Sequence, residues 1–242
     1  MPPTVFPNRS SFHGLSSLLR KQIMTDNVGV LGKKASQRTG VERVVNAPLP
    51  TVYGKFQAVG YLDHDRGDEQ VALVHGDIGS DDVLVRLHSE CLTGDAFGSQ
   101  HCECGDQLDA ALRAVVKEGS GIVVYLRGHE GRGIGLLAKL RAMALQAEGL
   151  DTVEANLALG LPVDSRDYGV AAGIFQDLGV NSVRLMSNNP RKREALQRHG
   201  IKVAETVPLL ITPCESNITY LRTKRERLDH VLPHLDAVAH LS

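Results

Sequence analysis

Cys91, Cys102 and Cys104 stand in a C-x(10)-C-x-C pattern that gathers three of the chain's four cysteines into one short stretch. Any fold open to this chain must let that stretch close on itself. Thiolates clustered this way in a chain otherwise poor in cysteine argue for a soft metal, zinc first. Three ligands is the informative count, because structural zinc sites add a fourth protein ligand whereas catalytic sites leave that place to water. If Cys102 and Cys104 lie on a strand, its two-residue period points both sulfurs to one face, and Cys91 returns to them from a loop. The alternatives are a closed site completed by His88, His101 or a distant group, and buried thiols with no metal at all.

The chain has 242 residues, 42% of them hydrophobic and 23% charged, enough to bury a full core. No apolar run approaches a membrane span, so no membrane insertion is expected. Lys plus Arg number 27 against 28 Asp plus Glu, a net charge of -1. That balance lacks the basic footprint of a nucleic-acid binder, so phosphate recognition must be local. The cysteine usage fits a reducing, cytoplasmic compartment.

Residues 1–47 read as a mobile leader: Pro2, Pro3, Pro7 and the serine pairs Ser10-Ser11 and Ser16-Ser17 offer no sustained apolar period, and no acid precedes Asp26. The segment superficially resembles a transit peptide, its apolar stretch around Leu15, Leu18 and Leu19 is too short for a secretory signal, and Met24 is an alternative start. The ordered body is expected over 48–232 and a C-terminal tail over 233–242.

Within the body, strands are predicted over 54–61, 70–76 and 83–88, the last delivering Ser89, Glu90 and Cys91 at its end, where α/β sheets place their chemistry. Leu108, Leu112, Val115 and Val116 mark a helix over 106–117. The run 121–126 reads as a strand buried on both faces. It is followed by the glycine-rich Arg127-Gly128-His129-Glu130-Gly131-Arg132-Gly133-Ile134-Gly135 and a helix over 136–148, an arrangement that brings backbone N–H groups to an anion. A strand over 182–186 leads to a helix with Asn189 as N-cap and Pro190 at its first position. Arg191, Lys192 and Arg193 then crowd the positive end of its dipole, which is unfavourable unless an anion such as a polyphosphate sits there. Asp164-Ser165-Arg166-Asp167 by itself reads as a solvated helix start with internal ion pairs. A last helix is expected from Thr219 to about Leu232, and Cys214 reads as an ordinary thiol.

Five segments together resemble the GTP cyclohydrolase II family of riboflavin biosynthesis: Arg86-Leu87-His88-Ser89-Glu90-Cys91-Leu92-Thr93-Gly94-Asp95, Cys102-Glu103-Cys104-Gly105, Glu130-Gly131-Arg132-Gly133-Ile134-Gly135-Leu136, Asp151-Thr152-Val153-Glu154-Ala155-Asn156 and Ser187-Asn188-Asn189-Pro190. The resemblance covers about Ala47 to Leu232. It implies a single α/β domain with a mixed sheet flanked by helices, acting on GTP as a homodimer. Many members carry a second enzyme, 3,4-dihydroxy-2-butanone 4-phosphate synthase, for which there is no room here. It further implies one zinc on Cys91, Cys102 and Cys104 with water in the fourth place, and magnesium on the triphosphate. Contacts to GTP are implied for Arg86, Leu87, His88, Ser89, Glu90, Gln107, Glu130, Gly131, Arg132, Thr152, Ser187 and Lys192. Asp164 matches the proposed proton acceptor and Arg166 the proposed nucleophile, although a guanidinium stays protonated at ordinary pH. Ser187 stands where many relatives have Thr.

One departure bears on the product. Relatives commonly carry Tyr where this chain has Met143, which by spacing shares a face with Leu136, Leu140 and Ala147 and reads as core. The expectation is ring opening and pyrophosphate loss giving either the 2,5-diamino-6-ribosylamino-pyrimidinone 5'-phosphate plus formate or, because a thioether cannot replace a hydroxyl that orients a second water, the formylamino intermediate. Two rival readings are a zinc-dependent base deaminase, for which His88-Ser89-Glu90 supplies H-x-E but no P-C-x-x-C follows, and a non-catalytic zinc or nucleotide-binding module.

Overall fold

The computed structural model describes residues 40–238. Seven strands form one mixed sheet in the order β1-β2-β3-β5-β4-β6-β7. They are β1 (Val41–Pro50), β2 (Lys55–Asp63), β3 (Glu69–His75), β4 (Val83–Ser89), β5 (Gly121–Leu126), β6 (Ser182–Met186) and β7 (Lys202–Val207). The β1 to β5 side pairs antiparallel, and β5, β4, β6 and β7 pair parallel. Beside two four-residue turns of helix, Leu92–Asp95 and Glu130–Gly133, the helices are α1 (Cys104–Glu118), α2 (Leu136–Ala147), α3 (Thr152–Ala158), α4 (Gly169–Asp177), α5 (Pro190–Arg198) and α6 (Ile218–Arg227).

The unbroken apolar run of β5 is explained by cover on both faces. Ile122, Val124 and Leu126 pack with Ala171, Ile174 and Phe175 of α4 and Leu196 of α5. Val123 packs on the opposite side with Ala111, Leu112 and Val115 of α1. Each such side chain contributes about 1.5–3 kcal/mol when fully buried. β4 divides the same way: Val83, Val85 and Leu87 enter the first core and Leu84 the second. The two-residue period then sets Arg86 and His88, both buried, on the α1 side. Because β4 and β5 are parallel with His88 opposite Tyr125 and Ser89 opposite Leu126, their carboxyl ends open on the same rim, as does that of β6.

Two strands escaped the sequence pattern. β1 overlaps the expected leader, so Val41 to Ala47 belong to the sheet. It is exposed along nearly its whole length and pairs by backbone hydrogen bonds, so no burial period marks it; Pro48 and Pro50 are tolerated because it is an edge. β7, the opposite edge, is likewise mostly exposed. The expected leader is otherwise outside the described residues. β1 is tied to α4 where Arg43 Nε and Tyr61 Oη both donate to Asp177 Oδ2 at 2.7 Å.

At the other end, α6 stops at Arg227 rather than near Leu232, and Asp229 turns the chain with φ 57°. The segment expected as a tail continues as a 3₁₀ turn over Pro233–Val238, with Leu235 buried against Ile218, Leu221 and Leu232. No helix among the described residues is long and apolar enough to cross a membrane.

Gly76 closes β3 with φ +65°, and a Cβ there would collide with the carbonyl oxygen of Gly119, the residue that caps α1. Gly76→Ala is expected to lower stability by about 2 kcal/mol or more. Thermal unfolding should report a drop of roughly 4–8 °C. An unchanged melting temperature would show that this close approach is not required.

Candidate active site

The three cysteines converge from three different local structures. Cys91 follows β4, Cys102 lies in a turn and Cys104 opens α1, so the expected strand over Cys102 and Cys104 is absent. The tight turn and helix start bring the sulfurs together instead. All three lie within 4.8 Å of one another, and Cys91 and Cys102 are 3.8 Å apart. Gly94 makes room for them: a Cβ there would stand 3.0 Å from Cys102 Sγ and 3.3 Å from Cys91 Sγ.

No fourth protein ligand joins this cluster among the described residues. His88, one of the expected alternatives, turns its Nε2 to the Asp95 carboxylate at 3.0 Å. Asp95 also accepts from Tyr125 Oη at 2.8 Å and from the Cys91 N–H at 3.0 Å, so it braces the first ligand. Lys139 reaches over from α2, with Nζ 3.1 Å from Cys91 Sγ and 2.7 Å from both Thr93 Oγ1 and Glu130 Oε1.

Hydrogen bonds from Cys102 and Cys104, aided by the Lys139 ammonium, hold Cys91 as a thiolate far below the usual thiol range. Cys104 is pushed well up by its bonds to the other two sulfurs and by burial. Cys102 gains stabilisation from Cys104, yet its bond to Cys91 and its burial leave it raised. One negative charge is therefore held with Lys139 beside it, and three require a further cation. A soft dication with Lys139 beside it satisfies that requirement, and the donor set fits zinc.

The sulfurs line a cavity of about 150 Å³. Arg86, His88, Ser89, Glu90, Gln107, Gly131, Arg132, Met143, Thr152, Arg166, Ser187 and Lys192 share its wall. Arg86 donates to Met186 O at 3.0 Å and to Gln107 Oε1 at 2.6 Å. Glu90 Oε2 accepts the Gly128 N–H at 3.0 Å, tying the ends of β4 and β5. Arg132 sits in the glycine-rich turn at φ 65°, a strained conformation for arginine, and both terminal nitrogens of its buried guanidinium lack a protein partner.

Residues 42–208 match the family described as GTP cyclohydrolase II. The chain belongs to the GTP cyclohydrolase II family. It is 83% identical over 220 residues to a GTP cyclohydrolase-2 from Streptomyces coelicolor, covering 90% of this chain and all of that one. It is 57% identical over 201 residues to the riboflavin biosynthesis protein RibBA of Mycobacteroides abscessus, covering 81% of this chain and 48% of that one. The chain thus spans about half the length of the RibBA relatives it matches. A crystal structure of RibBX, a two domain 3,4-dihydroxy-2-butanone 4-phosphate synthase from A. baumannii, aligns with 63% of this chain and 35% of its own at 22% identity and a TM-score of 0.38, too distant to carry an argument.

Several residues expected from the family pattern sit apart from the cavity. Leu87 is core, and only its carbonyl takes part, accepting from Lys192 Nζ at 2.8 Å. Glu130 is buried behind the wall, bonded to Lys139 and to the Leu92 N–H. Asp164 lies on an outer groove, and Arg166 reaches from it into the cavity. Of the three cations that open α5 only Lys192 turns inward, because the helical period leaves Arg191 and Arg193 exposed. Arg191 pairs with Asp164 at 3.5 Å. Met143, read from spacing as core, faces the cavity while Leu140 and Ala147 are exposed.

Burial, with the Arg86, Arg166 and Lys224 charges, drives Lys192 well below the usual ammonium range. Burial and the charges of Arg166 and Lys192 likewise push His129 down to about 3, so its ring is neutral, 3.2 Å from Ser89 Oγ. Burial alone would raise Asp164, but the bidentate bonds from Arg166 at 2.7 and 2.9 Å outweigh it and hold the carboxylate below its ordinary value. Sequence reasoning missed Lys139, His129, Asp95, Tyr125, Tyr220 and Lys224 as site residues. Three of them had a local signal: Asp95 closes one of the family-like segments, His129 lies in the glycine-rich run, and Lys139 stands one helical turn before Met143.

Cys102→Ser is expected to leave less than about a tenth of the wild-type zinc content, since a neutral hydroxyl replaces a thiolate ligand. Metal analysis of the purified variant checks this, and full zinc occupancy would remove Cys102 from the site.

Proposed function

We propose that this chain hydrolyses GTP, opening the guanine imidazole ring at C8 and releasing pyrophosphate, as a step of riboflavin biosynthesis. The observation that carries this reading is the pairing, in one cavity, of an open three-sulfur centre with two buried cations, Arg132 and Lys192, that form no ion pair with a carboxylate among the described residues. Membership of the family and the likeness to the Streptomyces protein support it.

Zinc on Cys91, Cys102 and Cys104 would supply a Lewis acid and a water of lowered pKa for attack on an electron-poor carbon. Lys139 balances the thiolate charge from the side of Cys91 and keeps Glu130 and Thr93 in place. Arg132 and Lys192 hold the terminal phosphates, whose negative charge favours the ammonium form that burial disfavours. Magnesium would accompany the triphosphate and offset its charge. Arg166, clamped by Asp164, projects a permanent charge toward the α-phosphate, stabilising the pentacoordinate state and the departing pyrophosphate. Asp164 anchors it through two hydrogen bonds and stands as the proton acceptor that the family pattern implies. Arg86, His88, Ser89, Glu90, Gln107, Gly131, Thr152 and Ser187 complete the nucleotide wall, with Leu87 and Glu130 acting from behind it. A cytoplasmic homodimer is the form in which we expect it to work.

Met143 makes the product specific. Its thioether lines the cavity one turn along α2 from Lys139 and can neither donate a proton nor polarise a water. We therefore assign the formylamino pyrimidine nucleotide as the product, with one water consumed in ring opening, another in cleaving the α–β phosphate bridge, and no formate released.

Incubation with GTP and magnesium, read by pyrophosphate assay, formate assay and mass of the nucleotide product, tests both parts. Pyrophosphate should equal the GTP consumed and the formyl group should stay on the product, whereas Met143→Tyr should release formate. Formate equal to pyrophosphate from the natural chain would contradict the assignment to Met143. Absence of pyrophosphate would contradict the reaction itself, and ammonia release would point to a deaminase.

A further inference from the structure

The family match ends at residue 208, yet the cavity wall continues beyond it. Tyr220 and Lys224 of α6, and His230 after it, face the same cavity as the three sulfurs. This stretch is fastened to the body at separate points. Lys224 Nζ donates to Glu103 Oε1 at 2.8 Å, and Glu103 stands between Cys102 and Cys104. Arg227 pairs with Asp151, the N-cap of α3. The Val231 N–H donates to Asn188 O at 2.9 Å in the loop after β6. The wall therefore touches the metal loop, the Thr152 helix and the loop that leads into α5 at once.

Tyr220 is the residue with the most specific placement in this wall. The Arg132 guanidinium lies 5.9 Å from its ring centroid, and Lys224 Nζ lies 5.2 Å from it. Among the described residues both terminal nitrogens of Arg132 are without a hydrogen-bond partner, and its backbone sits at φ 65°. A ring face against the guanidinium directs it without consuming its N–H donors.

We propose that Tyr220 is a positioning residue: its ring holds Arg132 where the guanidinium takes the terminal phosphates of the nucleotide, and the Lys224–Glu103 pair holds the ring. This rests on the nucleoside triphosphate reading above. The C-terminal segment is then a working wall of the site.

Kinetics of the full chain with GTP, and with GMP as competitive inhibitor, test the proposal. Tyr220→Leu is expected to raise KM for GTP about fivefold to tenfold, a larger change than in kcat. The inhibition constant of GMP, which lacks terminal phosphates, should move by less than about twofold, and Tyr220→Phe, which keeps the ring, should restore KM. In an Arg132→Gln background, Tyr220→Leu should add nothing further. Tyr220→Met serves the same comparison if the leucine variant fails to fold. An unchanged KM, equal losses for GTP and GMP, a phenylalanine variant as impaired as leucine, or additive effects with Arg132→Gln would each overturn the proposal. A natural chain that neither turns over GTP nor binds GMP would contradict the nucleotide reading itself. Normal turnover with no effect at position 220 would contradict this inference alone.

Discussion

Three sulfurs within 4.8 Å of one another cannot all carry charge without a cation between them, and that electrostatic demand organises the site. Gly94 leaves the space, Asp95 fixes the first ligand's backbone, and Lys139 brings a positive charge from α2 to Cys91. The same lysine bonds Glu130 in the glycine-rich turn, whose carboxylate accepts the Leu92 N–H beside the metal loop. The turn that presents Arg132 and the loop that presents the sulfurs are therefore parts of one hydrogen-bonded unit.

The sheet supplies the frame for this unit. The parallel strands β5, β4 and β6 end on one rim, so the segments after Ser89, Leu126 and Met186 emerge side by side. The alternation of β4 does the finer placement, sending Leu87 into the core while Arg86 and His88 reach the cavity. A one-residue slip in that strand would bury the wrong set and leave two polar side chains in apolar packing.

The interior strands were legible in the sequence because burial writes a pattern: β5 is apolar throughout since both its faces are covered, and β4 carries its chemistry at its end. The edges were not, since β1 and β7 are held by backbone pairing and leave little trace in side chains. Among site residues, the cysteine spacing announced the metal cluster without its local structure. The cations that open α5 suggested an anion, but only three-dimensional packing selects Lys192 over Arg191 and Arg193. Met143 shows the limit most clearly, since periodicity assigns it to a core and the fold exposes that helix face to the cavity. Tyr220 and Lys224 were not marked by their local spacing, because the contacts that tie them to the site, to Arg132 and Glu103, lie more than eighty residues away in the chain.

The open three-sulfur centre is the claim on which the remaining chemistry stands, and X-ray absorption at the zinc edge of the metal-loaded chain addresses it directly. Three sulfur scatterers at about 2.3 Å and one oxygen at about 2.0–2.2 Å are expected. A fourth sulfur, or the scattering signature of an imidazole, would show a closed structural site and contradict a catalytic one.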